Sequence, residues 1–434
     1  MRNIIKIYLF FLGIFSINAQ EVLPITKEEI LNKTLKNNFN LKISKENFNK
    51  AKAHYYKTRS VFLPNINASY TGFVTTNPLM AFGSKLNQGI LTQNDFNPDL
   101  LNNPSQTRNF ATKIEIKQPL INLNANYQRK AAEFKMQASK LNGKRISDYL
   151  WLEVSKTYMQ LQLAYKSLEV LESSKKTVLE NKVITINKYN QGLLLKTDKL
   201  SVDIKVLEIN NQLQIAKSTI KNISNYLSFL MNENSDVTYK PKEKFIVENK
   251  NFSNTKLSKN RSDLKAMLLK TNANKALYKA NKTSFLPNLN AFGSYEIYDN
   301  KAFQGGASGY IIGAQLSWNI FKGNKRIGET LNSKAELEKS KLEFKQYFSK
   351  NLLELKKTKR QLTDAKNKIE LAALGVKQSR ELLNIKKNRL NEGLEKIADF
   401  LAAETVYVQK QLDYYQTIFK YNYTAKYIEF LTKE

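Results

Sequence analysis

The chain has 434 residues, 69 Lys and Arg against 38 Asp and Glu, a net charge of +31, one His and no Cys. Without Cys there is no disulfide, no thiolate metal site, no Cys nucleophile and no lipid anchor on an N-terminal Cys, and His54 alone cannot build a zinc site or a His-based triad. Enzyme chemistry is disfavoured at the outset, while 42% hydrophobic residues suffice to bury a large core and exclude wholesale disorder.

Met1–Ala19 has a positive start in Arg2 and Lys6, an apolar run Ile7–Ile17, and small Ala19 before Gln20. This pattern predicts a signal peptide over 1–19. No other apolar run approaches the ~20 residues of a spanning helix. An exported chain, crossing any membrane by β-strands, is the expectation.

Thr26 and Glu29 make a capping box ahead of a helix predicted over 27–60. Pro64 ends it, and a strand is predicted over about 65–75, with Ile66, Ala68, Tyr70, Gly72 and Val74 on one face and Asn67, Ser69 and Thr71 on the other. A long loop, 75–108, leads to a second strand over about 109–118, closed by Gln118-Pro119-Leu120. A proline-free stretch, 120–240, follows. Leu150, Val154, Tyr158, Leu161, Tyr165 and Leu168 recur at spacings of 4 and 3, so a helix is predicted over 124–190. At ~1.5 Å per residue such a helix is about 100 Å long, which implies coiled-coil-like packing. Gly192 interrupts it. Leu200, Ile204 and Leu207 then mark the apolar face of a helix reaching about Leu230.

The second half runs the same course. A helix over 258–284 precedes Pro287, with strands over about 288–298 and 309–318. A second proline-free stretch carries Leu355, Leu362, Ile369, Val376, Leu383 and Leu390 every seven residues, with Ala365, Ala372 and Ser379 at the weaker partner position. Gly393 interrupts, and a helix is predicted over 399–431.

The symmetry is visible in the letters. Residues 38–68 and 261–291 agree at 12 of 31 positions, including Phe62-Leu-Pro-Asn65 against Phe285-Leu-Pro-Asn288. Asn190-Gln-Gly-Leu193 matches Asn391-Glu-Gly-Leu394, continuing through Asp198/Asp399 and Leu200/Leu401. The chain divides into two structural repeats, 20–240 and 241–434, each helix, strand, loop, strand, long helix, turn, helix. Four strands cannot close a barrel alone, since the smallest bacterial barrels have about eight. Strands in lipid tolerate no open edge, so several chains must share one barrel.

This duplicated pattern resembles the TolC-like outer-membrane efflux proteins. The residues that carry the resemblance are the two Phe-Leu-Pro-Asn junctions, Arg261-Ser-Asp-Leu264, Gln118-Pro119-Leu120 and the two Asn-x-Gly-Leu turns. The resemblance implies a mainly α fold. Long antiparallel helices would form a periplasmic α-barrel, and four strands per chain would join a 12-stranded barrel shared by a homotrimer. It implies docking, through a periplasmic adaptor (membrane fusion protein), to an inner-membrane pump of RND or ABC type, with the strands in outer-membrane lipid. It also implies that the helix pairs after the glycine turns close the periplasmic aperture.

The adaptor-docking turns are then Asn190, Gly192 and Leu193, and Asn391, Gly393 and Leu394. Asp198 matches a family aspartate of the closing links, and Asp399 a ring of lumen aspartates, a cation-favouring constriction when three copies face one pore. Both aspartates could instead simply cap their helices. The family's second ring position holds Ala402 here, its tyrosine before the second turn is Leu390, and its arginine is Glu395. Lys396 or Lys199 is expected to supply the missing cation. Pro64, Pro119 and Pro287 mark helix–strand junctions, loop 75–108 is expected outside the cell, Trp318 in an aromatic girdle, Trp151 in helix packing and His54 on the surface. No cofactor is expected. The alternative is a soluble periplasmic coiled-coil adaptor or scaffold. Nucleic acid is not expected as a partner, since the basic residues are scattered along helices rather than gathered in blocks.

Overall fold

The computed structural model describes residues 22–434 apart from 235, 249–251, 253 and 254, so the expected signal peptide, 1–19, lies outside the described residues. The elements are β1 (Val22–Ile25), α1 (Lys27–Asn37), α2 (Phe39–Lys57), β2 (Asn65–Thr75), α3 (Pro78–Asn87), α4 (Pro98–Asn102), β3 (Thr107–Ile121), α5 (Leu123–Asn190), α6 (Lys196–Met231), β4 (Thr238–Pro241), α7 (Ser262–Thr283), β5 (Asn288–Asp299), β6 (Ala307–Ser317), α8 (Lys325–Asn391) and α9 (Ile397–Thr432). The chain forms two compact units. One takes the described residues up to Ile43, Lys144–Arg261 and Lys350–Glu434; the other takes Ser44–Gly143 and Ser262–Ser349. This spatial division differs from the repeat halves, because each unit draws on both.

The first unit is helical, with one small sheet. Thr26 caps α1 with the full box: its hydroxyl accepts from Glu29 N (3.1 Å), and Glu29 Oε2 accepts from Thr26 N (2.9 Å). The helix expected over 27–60 is interrupted at Asn38, which has extended ψ. Its buried side chain donates to the carbonyl of Leu230 (2.9 Å) and accepts from Asn40 N (2.9 Å), satisfying the ends of two helices at once. β1 and β4 pair in parallel, Val22 opposite Thr238. Beneath them Ile25, Ile30, Leu150, Val154, Tyr158, Leu161, Leu227 and Met231 form one core. The spacing read along 150–168 is therefore the buried face of α5.

Along α8, Leu355, Ala365, Ser379 and Leu383 are buried, while Leu362, Ile369, Val376 and Leu390 are half-buried. The heptad position faces the unit's interior, and its small partners let another helix approach closely. On α6 the structure corrects the sequence reading. Leu200, Ile204 and Leu207 are exposed, and the buried stripe is Val202, Ile209, Leu213, Ala216 and Ile220. Both stripes have helical spacing, so periodicity alone could not choose between them. Arg261 is fully buried, donating to Leu431 O (2.8 Å) and Asn351 Oδ1 (2.7 Å), which fastens the end of α9.

The second unit holds the four-stranded sheet, an antiparallel meander ordered β2-β3-β5-β6. Pro64 and Pro287 stand just before β2 and β5, as expected of junctions. Pro119 differs. β3 runs through it, with a register shift between Pro119 and Ile121, and irregularities of this kind are where a strand accommodates proline. Segment 75–108 is also more than a loop, since it contains α3, a 3-10 turn at Gln93–Phe96, and α4. Asn77 and Asn97 accept N-cap bonds with Pro78 and Pro98 at the first helical position.

Candidate functional site

The sheet is two-faced. Cross-strand register places Ile66, Ile116, Gly293 and Ile312 in one row and Ala68, Ile114, Tyr295 and Tyr310 in the next on the same side. The opposite side carries Asn67, Glu115 and Ser294, then Ser69, Lys113 and Glu296, with Ile311 the apolar exception. Charges on the polar side are paired: Lys113 with Glu296 (2.8 Å) and Lys117 with Glu115 (3.2 Å). The apolar side is bare, Tyr310 at 75% and Ile312 at 79% exposure. Trp318, exposed at the end of that side, donates Nε1 to Phe285 O (2.9 Å). Among the described residues nothing pairs with the outer edges of β2 and β6. A bare apolar face, a polar reverse and two open edges are the properties of a barrel-wall segment awaiting neighbours. Among the described residues no helix is long and apolar enough to cross a membrane.

The two glycine turns are built alike. Gly192 (φ +75) donates to Tyr189 O (2.9 Å) and Leu193 N to Lys188 O (2.9 Å). Gly393 (φ +73) donates to Leu390 O (3.2 Å) and Leu394 N to Arg389 O (2.8 Å). This is the left-handed helix stop that glycine takes without a Cβ penalty. Asn190 and Asn391 are the last helical residues before each turn, and both are exposed. Leu193, Leu195 and Leu394 project into solvent at 66–70% exposure. Leu194 and Leu390 turn inward onto a core of Val178, Val202, Leu383, Ile397, Phe400 and Leu401, so both helix pairs share one hydrophobic centre.

The predicted aperture residues fall into distinct settings. Asp198 accepts from Leu195 N (3.1 Å) and caps α6. Asp399, exposed in the first turn of α9, makes no such cap. Glu395 pairs with Lys386 (2.9 Å) and Arg389 (3.1 Å) of α8, and the Lys386 ammonium, with Arg389 behind it, holds its carboxyl below the usual carboxylate range. Lys199 lies over the Tyr189 ring (5.5 Å), and Lys396 is exposed. Lys182 and Asp203 bridge α5 to α6 at 2.6 Å.

Sequence reasoning missed Lys386 and Arg389, although they lie seven and four residues before Gly393 on the last turns of a helix that folds back. It also missed Glu404 of α9, 2% exposed and hydrogen-bonded to Ser174 of α5. Its other oxygen is buried with no partner, and burial pushes this carboxyl above the usual range, with Lys205 of α6 opposing. One charged letter on an apolar face was the available signal.

A sheet with one lipid-compatible face and open edges, continued in the chain by helix pairs too polar to span a bilayer, defines a subunit of a shared outer-membrane duct. The sequence profile of the outer membrane efflux protein family matches residues 30–233 and 255–425, and the chain belongs to that family. Solved structures agree at the level of fold. The Campylobacter jejuni CmeC outer membrane channel is 18% identical, TM-score 0.80, covering 100% of this chain and 93% of that one. The Vibrio cholerae outer membrane protein VceC is 13% identical, TM-score 0.81, covering 94% and 96%. The outer-membrane channel OprN is 14% identical, TM-score 0.82, covering 94% and 89%. No protein of curated function matched the sequence. The chain is thus an efflux channel-tunnel of the outer membrane with its helical part in the periplasm, a passive trimeric channel of an efflux pump complex and not an enzyme. The reading as a soluble adaptor is not favoured.

Proposed function

We propose that three copies close a 12-stranded barrel in outer-membrane lipid and receive cargo from an inner-membrane pump, of RND or ABC type, through a periplasmic adaptor gripping the two glycine turns. The observation that carries this is the matched geometry of the turns. Each presents an exposed leucine, Leu193 or Leu394, on a left-handed glycine stop, while its neighbours Leu194 and Leu390 anchor the turn from below. A pair of apolar knobs held on a surface of mixed charge suits a protein partner. In this reading the two repeats, 20–240 and 241–434, supply quasi-equivalent halves of the docking surface.

The aperture belongs to the same ends of the helices. Asp399, free of capping duty, is the residue for a pore-facing acidic ring, while Asp198 is committed to its helix. Glu395 with Lys386 and Arg389 stiffens the second turn within one chain, leaving Lys396 and Lys199 for links between copies. The test is photo-cross-linking in cells from residues 193 and 394. An adaptor recovered from both positions supports docking at both turns. Self-cross-links alone would refute docking there while leaving the duct intact. Identification of the co-purifying pump as proton-driven or ATP-driven would decide its class.

A further inference from the structure

Thr107 and Asn109 alternate onto the polar side of the sheet with Lys113 and Glu115, yet they are only 6% and 5% exposed. The 76–106 segment covers them. Its α3 turns Ala81, Ser84 and Gln88 inward. Gln88 Nε2 donates to Asn109 Oδ1 (2.8 Å), to Arg108 O (2.8 Å) and to Asp299 O (3.1 Å), bolting the helix end across two strands. A Cβ built on Gly89 would lie 3.9 Å from that of Ala307, the first residue of β6. Ala307 pairs with Tyr298 and Tyr298 with Ala111, again on the polar side.

The segment is held together internally as well. Lys85 meets Asp95 at 2.7 Å, Asp95 accepts from Thr92 N at 2.7 Å, and Phe82 stands edge-on to Phe96 with centroids 5.6 Å apart. The Lys85 ammonium, helped by the Thr92 amide, holds the Asp95 carboxyl down to about 2. A segment built this way keeps its position. Away from the sheet it presents Leu79 (80% exposed) and Leu86 (57% exposed), seven residues apart on one face of α3.

We infer that residues 76–106 form a lid folded inward over the pore-facing side of the wall at its outer end, one per protomer, narrowing the exit of the duct with the apolar surface of Leu79 and Leu86. The inference rests on the four strands being barrel wall. Apolar constrictions gate by excluding water, so the exit carries a barrier separate from the helical aperture.

The native chain has no Cys, so introduced thiols report alone. Ser69→Cys lies on the polar side, deeper than the lid; Tyr70→Cys lies on the apolar side. Full-length protein in intact cells is treated from outside with a bulky membrane-impermeant maleimide, and labelling is read peptide by peptide. Gln88→Ala is expected to speed labelling of residue 69 at least ten-fold. The pair Gly89→Cys/Ala307→Cys, whose Cβ separation suits a disulfide, is expected to lock on oxidation, slow labelling below the parent rate, and recover on reduction. Equal labelling rates of residue 69 in the parent and in Gln88→Ala would overturn the lid. Labelling of residue 70 as fast as residue 69 would overturn the barrel wall itself.

Discussion

Phe400→Ala probes the shared centre of the two helix pairs. Phe400 is fully buried, and its cluster draws Leu171 and Val178 from α5, Val202 and Ile209 from α6, Leu383 from α8, and Ile397 and Leu401 from α9. A buried aromatic side chain removes about 150–250 Å² from water. At ~25 cal/mol per Å² that corresponds to roughly 4–6 kcal/mol as an upper bound. Measured Phe→Ala losses of about 3–5 kcal/mol agree. Phe400 is the one aromatic among the fully buried side chains of that cluster, so the loss falls locally on the turn-proximal helices. The assay is amide hydrogen exchange on the trimer in detergent. Protection around 171–213 and 383–408 should drop by about 3 kcal/mol, near 150-fold in exchange rate. The core around Leu227 and Met231, a separate cluster, should keep its rates. Phe400→Leu, nearly filling the same space, should lose under about 1.5 kcal/mol. Equal protection in wild type and Phe400→Ala would refute the claim that this residue ties the two pairs together. Equal loss in both clusters would refute their independence.

Asp399→Ala is expected to weaken cation over anion selectivity in planar-bilayer recordings; unchanged reversal potentials would remove the residue from the constriction. Glu404→Gln tests the buried carboxyl. Burial raises its folded pKa above the unfolded value, so its favourable contribution is complete at low pH and is lost as pH rises through the folded pKa. The variant should therefore melt higher than wild type at pH 8 and alongside it at pH 4; a lower melting temperature at pH 8 would contradict this. Asp198→Ala should cost about 1 kcal/mol by losing the cap on α6, seen as faster exchange over its first turn, and undiminished protection there would return Asp198 to a closing role. Gly393→Ala forces a Cβ into a left-handed turn and should cost about 1–2 kcal/mol. A shift of the same size from the matched Gly192→Ala would confirm that the two turns are equivalent.

Much of the fold was legible in sequence because its signals repeat. The two glycines ended α5 and α8 at Asn190 and Asn391, and alternation in β2 and β3 gave both faces of the sheet. What escaped depended on partners distant in sequence. Asn38 breaks a helix because it reaches Leu230. Leu200, Ile204 and Leu207 have the spacing of a buried stripe, but the core lies on the other side of α6, and only packing reveals which side is covered. Glu395 invited a search for cations within a few residues after the turn, whereas the chain reversal brings Lys386 and Arg389 back beside it. Segment 75–108 looked like a loop because its two helices are short and interrupted by Asn, Pro and Gly, the residues that also cap them.

The pairing of β1 with β4 has a consequence for how the protein reaches its final form. Val22 and Thr238 are partners separated by 216 positions, joined strand to strand in parallel. Loop closure over that distance comes late, since long-range pairing must wait for its second strand. During translocation the leading end of the chain thus emerges with no partner for β1 until about half of the polypeptide has followed. The Tyr158 hydroxyl, which donates to the carbonyl of Ile25, stands ready in α5 before β4 arrives. Chaperones that hold unfolded chains in the periplasm would find their window here, and Tyr158→Phe, which removes the hydroxyl but keeps the buried ring, should lengthen it, raising proteolysis during export more than it lowers the stability of the finished trimer.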